Sequence, residues 1–260
     1  MTRLTRNTLP LLALLSGCAA PLSQAAVSLD RTRVIFPGGE KSVSLGISNQ
    51  NAQLPYLAQA WIENEHAEKI TSPLVVLPPI QRLEAGATSQ IKIQGLPELS
   101  LLAQDRESLF YFNLREIPPR SDKPNTLQIA LQTRVKLFYR PAAIAAKTGA
   151  NQTPWQEALT LTRQGDRYLA NNPTPYFVTL IDATKTLESA SASDFKPLMI
   201  APKAQVDLGV SAKALGDKPV LTYVNDYGGR PQLQFHCSAD TCTAKPVTSQ
   251  RCPSSHDVLT

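Results

Sequence analysis

The sequence has few histidines and none of the common catalytic motifs. Only three histidines occur in 260 residues, which disfavours most catalytic and metal sites that depend on imidazole. The motifs G-x-S-x-G, H-E-x-x-H and G-x-G-x-x-G are absent. His66 lies in a polar segment between Glu65 and Glu68, as expected of a solvated surface loop. We therefore expect a protein that is not an enzyme and that holds no cofactor and no metal.

Glycine is also scarce, and long apolar runs are missing. The chain has 12 glycines but 21 prolines, so long helices are disfavoured. Hydrophobic residues make up 42% and charged residues 18% of the chain, which is typical of a soluble globular protein. A chain of 260 residues is long enough for one large domain or two smaller ones.

The charge excess is small and not clustered along the sequence. There are 26 basic and 21 acidic side chains, and no Lys/Arg-rich run of five or more residues occurs. Two of the basic residues, Arg3 and Arg6, belong to an expected targeting segment. These features argue against a nucleic-acid partner.

Residues 1–25 have the features of a secretory signal peptide. Arg3 and Arg6 precede an apolar stretch over residues 9–15, which is too short for a membrane span of about 20 residues. Residues 23–25 offer an acceptable cleavage site. An alternative is a lipobox ending at Cys18, which would anchor the chain through an acyl group. Either reading exports the mature chain to an oxidising compartment, where disulfides persist.

Three cysteines remain after the signal peptide. Cys237 and Cys242 flank a polar, turn-like segment, and a disulfide across this hairpin would contribute roughly 2 kcal/mol in the chain-entropy model. A zinc site that also uses His236 is the alternative, but it lacks the paired ligand spacing of zinc motifs. Cys252 is left over, either as a free thiol or for pairing between chains.

The mature sequence is a series of short strand-like runs separated by turn residues. Seven runs precede residue 141, and residues 127–139 form the longest. A loose polar segment at 147–154 follows, and seven further runs lie beyond it. We predict two β-sandwich domains, at 26–144 and 145–247, and a polar tail at 248–260.

Several motifs together resemble the periplasmic pilus-assembly chaperones of the PapD-like family. The most specific is LAQDRESLFYFNLREIPP at residues 102–119. Others are AVSLDRTR at 26–33, LQIALQTRVKLFYRP at 127–141, NPTPY at 172–176 and YVNDYGG at 223–229. The likeness covers residues 26–245 and is strongest in the first domain.

The resemblance implies an all-β fold of two immunoglobulin-like sandwiches arranged as a boomerang. It also implies a periplasmic chaperone that binds, folds and caps pilus subunits and delivers them to an outer-membrane usher without using a nucleotide. The short segment 114–125 resembles the subclass that serves rod-like pili. Sequence alone leaves a self-capping homodimer of the free chaperone open.

The resemblance also assigns roles to individual residues. A pilus subunit lacks its last strand, and the chaperone lends one. Leu127, Ile129 and Leu131 match the donor-strand residues that fill the subunit groove. Arg33 and Lys136 match the pair of cations that grip the subunit's C-terminal carboxylate. Lys136, however, has the opposite parity to the donor residues, so an unbroken strand would point it to the other face. Either a bulge or a different role for that face is required.

Three further residues match an ionic network between the domains, namely Glu107, Arg140 and Asp226. The resemblance implies that they fix the angle between the two sandwiches. The main alternative to a chaperone is a secreted two-domain β adhesin or a pilus structural subunit. The seven runs before residue 141 argue against a subunit, because a subunit has an incomplete sandwich.

Overall fold

The structure is a computed structural model that describes residues 25–122, 124–125, 127–145 and 153–247. The predicted signal peptide up to residue 24, Cys18, Cys252, His256 and the predicted tail at 248–260 lie outside the described residues.

The first domain is built mainly from strands and has a 3-10 helix at Pro97–Leu101. Its strands are β1 (Val27–Leu29), β2 (Arg33–Pro37), β3 (Ser42–Asn49), β4 (Tyr56–Glu63), β5 (Lys69–Ile70), β6 (Leu74–Leu77), β7 (Ile80–Leu83), β8 (Thr88–Gly95), β9 (Ser108–Ile117) and β10 (Gln132–Arg140).

Two sheets face each other in this domain. One has the order β1-β3-β8-β6, and the other has the order β2-β10-β9-β4-β5, with β7 also paired to β4. All pairs are antiparallel except β10 with β2, which run parallel. The seven predicted runs correspond to ten strands, because the first run splits into β1 and β2, and β5 and β7 are additional.

Alternating side chains explain why these strands form a sandwich. In β8, Ile91 and Ile93 are fully buried while Lys92 between them is exposed. Such alternation places one face of each strand in the core and the other in solvent. The core joins both sheets, since Leu45 and Ile93 of one sheet and Phe112 of the other belong to one hydrophobic cluster.

The second domain contains eight strands among its described residues. They are β11 (Thr160–Gln164), β12 (Arg167–Asn172), β13 (Val178–Thr184), β14 (Leu198–Ile200), β15 (Ala204–Ser211), β16 (Val220–Val224), β17 (Gln232–Ser238) and β18 (Thr241–Pro246). They form one continuous hydrogen-bonded path in the order β14-β13-β16-β17-β18-β11-β12-β15. Its core includes Tyr168 and Phe235, both almost fully buried. The seven predicted runs missed β18.

The remaining helices are short. Two 3-10 helices lie at Ala142–Ile144 and Trp155–Ala158, and α1 spans Ala212–Leu215. Within the described ranges, no helix has the length and apolar character needed to cross a membrane. The all-β fold class is therefore confirmed.

A close backbone contact fixes the chain where it leaves the first domain. The amide of Gly38 donates to the carbonyl of Arg140 at 2.7 Å. A Cβ atom at position 38 would lie 2.8 Å from the backbone nitrogen of Ala142, so only glycine fits without a backbone shift. This contact ties the end of β2 to the end of β10.

Candidate functional site

Arg33 and Lys136 lie side by side at the first domain's boundary with the second. β2 and β10 are parallel neighbours, and Arg33 is the register partner of Lys136. The Nη1 atom of Arg33 donates to the carbonyl of Val224 at 3.0 Å, and Nζ of Lys136 donates to Oγ1 of Thr179 at 3.0 Å. Both side chains therefore extend into the cleft between the two sandwiches.

The two cations lack a direct acidic partner. In the described chain, neither Arg33 nor Lys136 forms an ion pair with a carboxylate, and Nε of Arg33 is buried without a hydrogen-bond partner. Burial, together with the neighbouring charge of Arg33, lowers the pKa of Lys136 from 10.5 to about 8. Burial also lowers the pKa of Arg33. Such a pair is suited to an anion with two oxygens, such as a carboxylate.

The two faces of β10 serve different parts of the molecule. The odd-numbered side chains from Val135 onward are buried in the first core, whereas the even-numbered ones from Lys136 onward face the second domain. β10 pairs with β2 and β9 without a register shift. Lys136 therefore reaches the cleft without a β-bulge, because the face of β10 opposite the core is the face that lines the cleft.

The segment before β10 is exposed and is not a strand. The prediction of one strand over residues 127–139 is wrong for its first part, since β10 begins at Gln132. β9 ends at Ile117 and β2 begins opposite Lys136, so no described strand pairs with most of the segment. Its contacts include a bond from the Glu116 amide to the Leu131 carbonyl and one from the Gln128 side chain to the Pro119 carbonyl. The predicted donor side chains are 84%, 63% and 40% exposed at Leu127, Ile129 and Leu131, respectively.

Glu107, Arg140 and Asp226 form a buried ionic network between the domains. Nε of Arg140 donates to Glu107 at 2.8 Å, and its two terminal nitrogens donate to the carboxylate of Asp226 at 2.8 and 3.1 Å. The second oxygen of Glu107 accepts from the backbone amide of Phe177 at 2.8 Å. Burial opposes the charge on Arg140, but the hydrogen bond to Asp226 and the charge of Glu107 raise its pKa overall.

An aromatic pair packs against this network. The rings of Trp155 and Tyr176 are 4.6 Å apart, and Cζ of Arg140 lies 5.0 Å from each ring centroid. The hydroxyl of Tyr176 donates to the carbonyl of Ile144 at 2.6 Å. Cation–π contacts of this kind strengthen as the guanidinium is withdrawn from water. The pair thus joins the network to the segment that leaves the first domain.

Cys237 and Cys242 are joined by a disulfide, as predicted. They are register partners in the β17–β18 hairpin. The bridge leaves neither sulfur as a free thiolate, so the zinc alternative with His236 is wrong.

Family models match both domains of the chain. The model of the pili and flagellar-assembly chaperone PapD N-terminal domain matches residues 26–145, and that of the pili assembly chaperone PapD C-terminal domain matches residues 154–235. The chain belongs to the PapD family of pilus-assembly chaperones. This membership confirms the family indicated by the sequence motifs.

Individual members of the PapD family are similar over most of the chain. The chaperone protein PapD of Escherichia coli is 54% identical over 224 residues, which cover 86% of this chain and 91% of PapD. The probable fimbrial chaperone YfcS of E. coli strain K12 is 49% identical over 240 residues, covering 92% and 94% of the two chains.

Solved structures of PapD-family chaperones share the fold. The periplasmic chaperone SfaE is 31% identical, with a TM-score of 0.63 over 80% of this chain and 98% of SfaE. The SafB chaperone of Salmonella enterica, solved with the SafA pilin, gives a chain match at 26% identity and a TM-score of 0.63, covering 80% of this chain and 93% of that chain. The prediction of two β-sandwich domains is confirmed.

Sequence reasoning missed some of the residues around the cleft. The sequence predicted neither Thr179, which accepts a hydrogen bond from Lys136, nor Trp155, which packs on Arg140. Trp155 follows a loose polar segment and carries no local signal of its position. Tyr176 lies in the NPTPY motif, so the motif did mark its surroundings.

Proposed function

We propose that this pilus-assembly chaperone works in the periplasm, where it binds pilus subunits, caps them and delivers them to an outer-membrane usher. The names of its relatives, and the complex of SafB with a pilin, support subunits as the partner class. A secreted adhesin or a structural subunit is not favoured, because the relatives are chaperones over most of the chain. The proposed domains are 26–144 and 145–247.

The unneutralised pair Arg33 and Lys136 carries this proposal. Two half-buried cations that are register partners place at least two donors on one side of the cleft. Thr179 and the Val224 carbonyl hold the two side chains in place. The subunit's C-terminal carboxylate supplies the missing negative charge, and charge-assisted hydrogen bonds to it are among the strongest that proteins form.

The exposed segment before β10 supplies the lent strand. Leu127, Ile129 and Leu131 alternate along the chain and are available for contact. In an extended conformation they would enter an apolar groove on the subunit, and the backbone would pair with its open edge. Burial of three such side chains contributes roughly 5–9 kcal/mol before the costs of association.

The network of Glu107, Arg140 and Asp226 sets the angle between the domains in this proposal. Its three side chains come from two domains, and the single guanidinium of Arg140 pairs with both carboxylates. A fixed angle keeps Thr179 and the Val224 carbonyl of the second domain in contact with the two cations of the first, so the carboxylate site stays assembled. A self-capping homodimer of the free chaperone would cover the same exposed residues.

The test is to remove either cation. Arg33→Ala and Lys136→Ala should each abolish recovery of a co-expressed pilus subunit from the periplasm, while the chaperone stays folded, because the carboxylate loses half of its site. The measurement is the amount of subunit that co-purifies with the chaperone.

Arg31→Ala is the matched control, since Arg31 lies two residues away but pairs with Asp30 at the surface. It should capture the subunit at the wild-type level. Wild-type capture by the Arg33 or Lys136 variant would contradict the assignment of that residue.

A further inference from the structure

Arginines and aromatic rings are stacked on the outer face of β4, β9 and β10. Cζ of Arg115 lies 5.0 Å from the ring centroid of Trp61, and Cζ of Arg134 lies 3.5 Å from that of Tyr111. Glu63 accepts from Nε1 of Trp61 and from Nε of Arg134, both at 2.9 Å. We call Trp61, Glu63, Tyr111, Arg115 and Arg134 the outer ladder.

Register explains why these side chains meet. Trp61 and Arg134 are both partners of Asn113 in β9, and Glu63 is the partner of Tyr111. Each cross-strand row therefore holds one residue from each of two or three strands. Asn113 itself is fully buried although it points outward, so the ladder covers it.

The ladder is ordered before any partner binds. Nη2 of Arg115 donates to Oε1 of Gln59 at 2.9 Å, and the amide of Gln132 donates to Asn113 at 2.9 Å. Arginine side chains usually lose much rotamer freedom on binding, which weakens association. Here the stacking and the hydrogen bonds restrict them in the free protein.

The face is also strongly positive. Arg115, Arg134 and the nearby Lys69 bring three positive charges to it, and Glu63 pairs with Arg134. Lys136 follows Arg134 by two residues on the same face of β10, and its register partner in β9 is Tyr111 of the ladder. The ladder is therefore continuous with the carboxylate site.

The rest of the chain does not share this excess. Residues 26–260 carry 24 basic and 21 acidic side chains, since Arg3 and Arg6 lie upstream. With the cleft residues Arg33, Lys136 and Arg140 included, six cations stand against the carboxylates of Glu63, Glu107 and Asp226. This excess is as large as that of the whole mature chain.

We infer that the outer ladder is a second contact surface for the pilus subunit and binds acidic side chains beside its C-terminal carboxylate. This inference rests on the proposed function, because the subunit is placed by its continuity with Lys136. Arg, Trp and Tyr are the residue types that most often dominate binding at protein interfaces. The side chain of Arg134 is 37% exposed, so it can reach a partner without leaving its ring.

The test reverses charge on the ladder and follows capture of the subunit at two salt concentrations. The variants are Arg134→Glu and Arg115→Glu, with the milder Arg134→Gln in case a reversal lowers stability. The probe is a purified pilus subunit that the wild-type chaperone captures, diluted from denaturant into the chaperone, and the readout is the association rate. Thermal melting confirms that each variant is folded.

We expect each reversal to slow association about tenfold at low salt, and the difference to shrink at high salt as the charges are screened. Arg134→Gln should give a smaller loss in the same direction. Lys92→Glu is the matched control, because Lys92 is exposed on β8 of the other sheet, and it should stay close to wild type.

Lys136→Ala separates this inference from the proposed function. If Lys136→Ala abolishes capture but the ladder variants associate at the wild-type rate at low salt, the ladder is only a solvated surface and this inference is wrong. If Lys136→Ala captures the subunit normally, the carboxylate site of the proposed function is wrongly assigned. If the ladder variants associate more slowly by the same factor at both salt concentrations, the contact is not electrostatic and this inference is also wrong.

Discussion

Lys136 carries its positive charge at a position where burial and a neighbouring cation destabilise the charged form. Its ammonium group is half-buried next to Arg33 and has one hydrogen bond, to Thr179. Burial and the neighbouring cation lower its pKa to about 8, so the free chaperone favours loss of the proton. A bound carboxylate would reverse this, because an opposite charge favours the protonated amine. Binding and protonation at this residue are therefore linked.

The linkage predicts that carboxylate binding weakens at alkaline pH. Below pH 7, Lys136 is protonated in both states and affinity should be constant. Above the free pKa of about 8, binding must also take up a proton, so affinity should fall by about tenfold per pH unit until the pKa of the bound state is reached. The measurement is the dissociation constant, from pH 6 to 10, of a peptide that reproduces the C-terminus of a pilus subunit with its free carboxylate.

Lys136→Arg provides the control, because arginine stays protonated over this range. The affinity of this variant for the peptide should not change with pH.

The stability of the free chaperone should change with pH in the opposite direction to the affinity. The folded pKa is below the unfolded value of 10.5, so the unfolded chain binds more protons between pH 8 and 10.5, and the Lys136 contribution to stability rises over that window. If the affinity of the wild-type chaperone for the peptide stays constant up to pH 10, the proposed link between binding and protonation is contradicted.

At the scale of elements, the segment before β10 differs from the strand that follows. Ile129 is 63% exposed, so Ile129→Glu should shift the melting temperature by no more than a few degrees, since exposed changes usually cost under ~0.5 kcal/mol. Capture of the subunit should fall sharply, because a carboxylate would be forced into an apolar groove without a partner. Thermal melting and co-purification of the subunit measure the two effects.

Gln128→Glu is the matched control for this experiment, because position 128 has the opposite parity in an extended segment. It should disturb capture much less than Ile129→Glu. Unfolding of the first domain by Ile129→Glu would show that this residue belongs to the core and that another segment fills the subunit groove.

The elements differ in how far the sequence predicts them. β3 and β8 alternate apolar and polar residues, and that pattern is local, so it is enough to predict them. β18, at Thr241–Pro246, has little apolar content and was missed. The start of β10 was misplaced because a strand extends only as far as its neighbours do, and β2 and β9 lie elsewhere in the chain. Pairing of Arg33 with Lys136 is likewise nonlocal, and only the family resemblance indicated it.

At the scale of the whole molecule, the buried network should contribute more to stability than the surface ion pair between the domains. Arg140→Ala would leave Glu107 buried without its cation, at a cost of about 3–5 kcal/mol. It should also broaden the distribution of angles between the domains. Thermal unfolding and small-angle X-ray scattering report these two effects.

Asp105→Asn is the comparison, since Asp105 pairs with Lys203 across the domains at 2.7 Å but at the surface. Surface pairs contribute little, so neither the melting temperature nor the scattering curve should change appreciably. Equal effects of the two substitutions would contradict a special role for the buried network. Because Trp155 and Tyr176 pack on Arg140, the Arg140 variant also removes the contact that holds them.

The two-faced character of β10 restricts how the length of this chain can change during evolution. One residue inserted or deleted between Gln132 and Lys136 would exchange the two faces in the rest of the strand, placing Lys136 in the core and Leu137 in the cleft. The preceding segment has no such restriction, because β9 has already ended and β2 has not yet begun beside it. Insertions there would lengthen the lent segment and shift which of its side chains alternate, without moving the cations. Length variation among related chaperones should therefore collect before Gln132, where it can adapt the chain to subunits of different groove length.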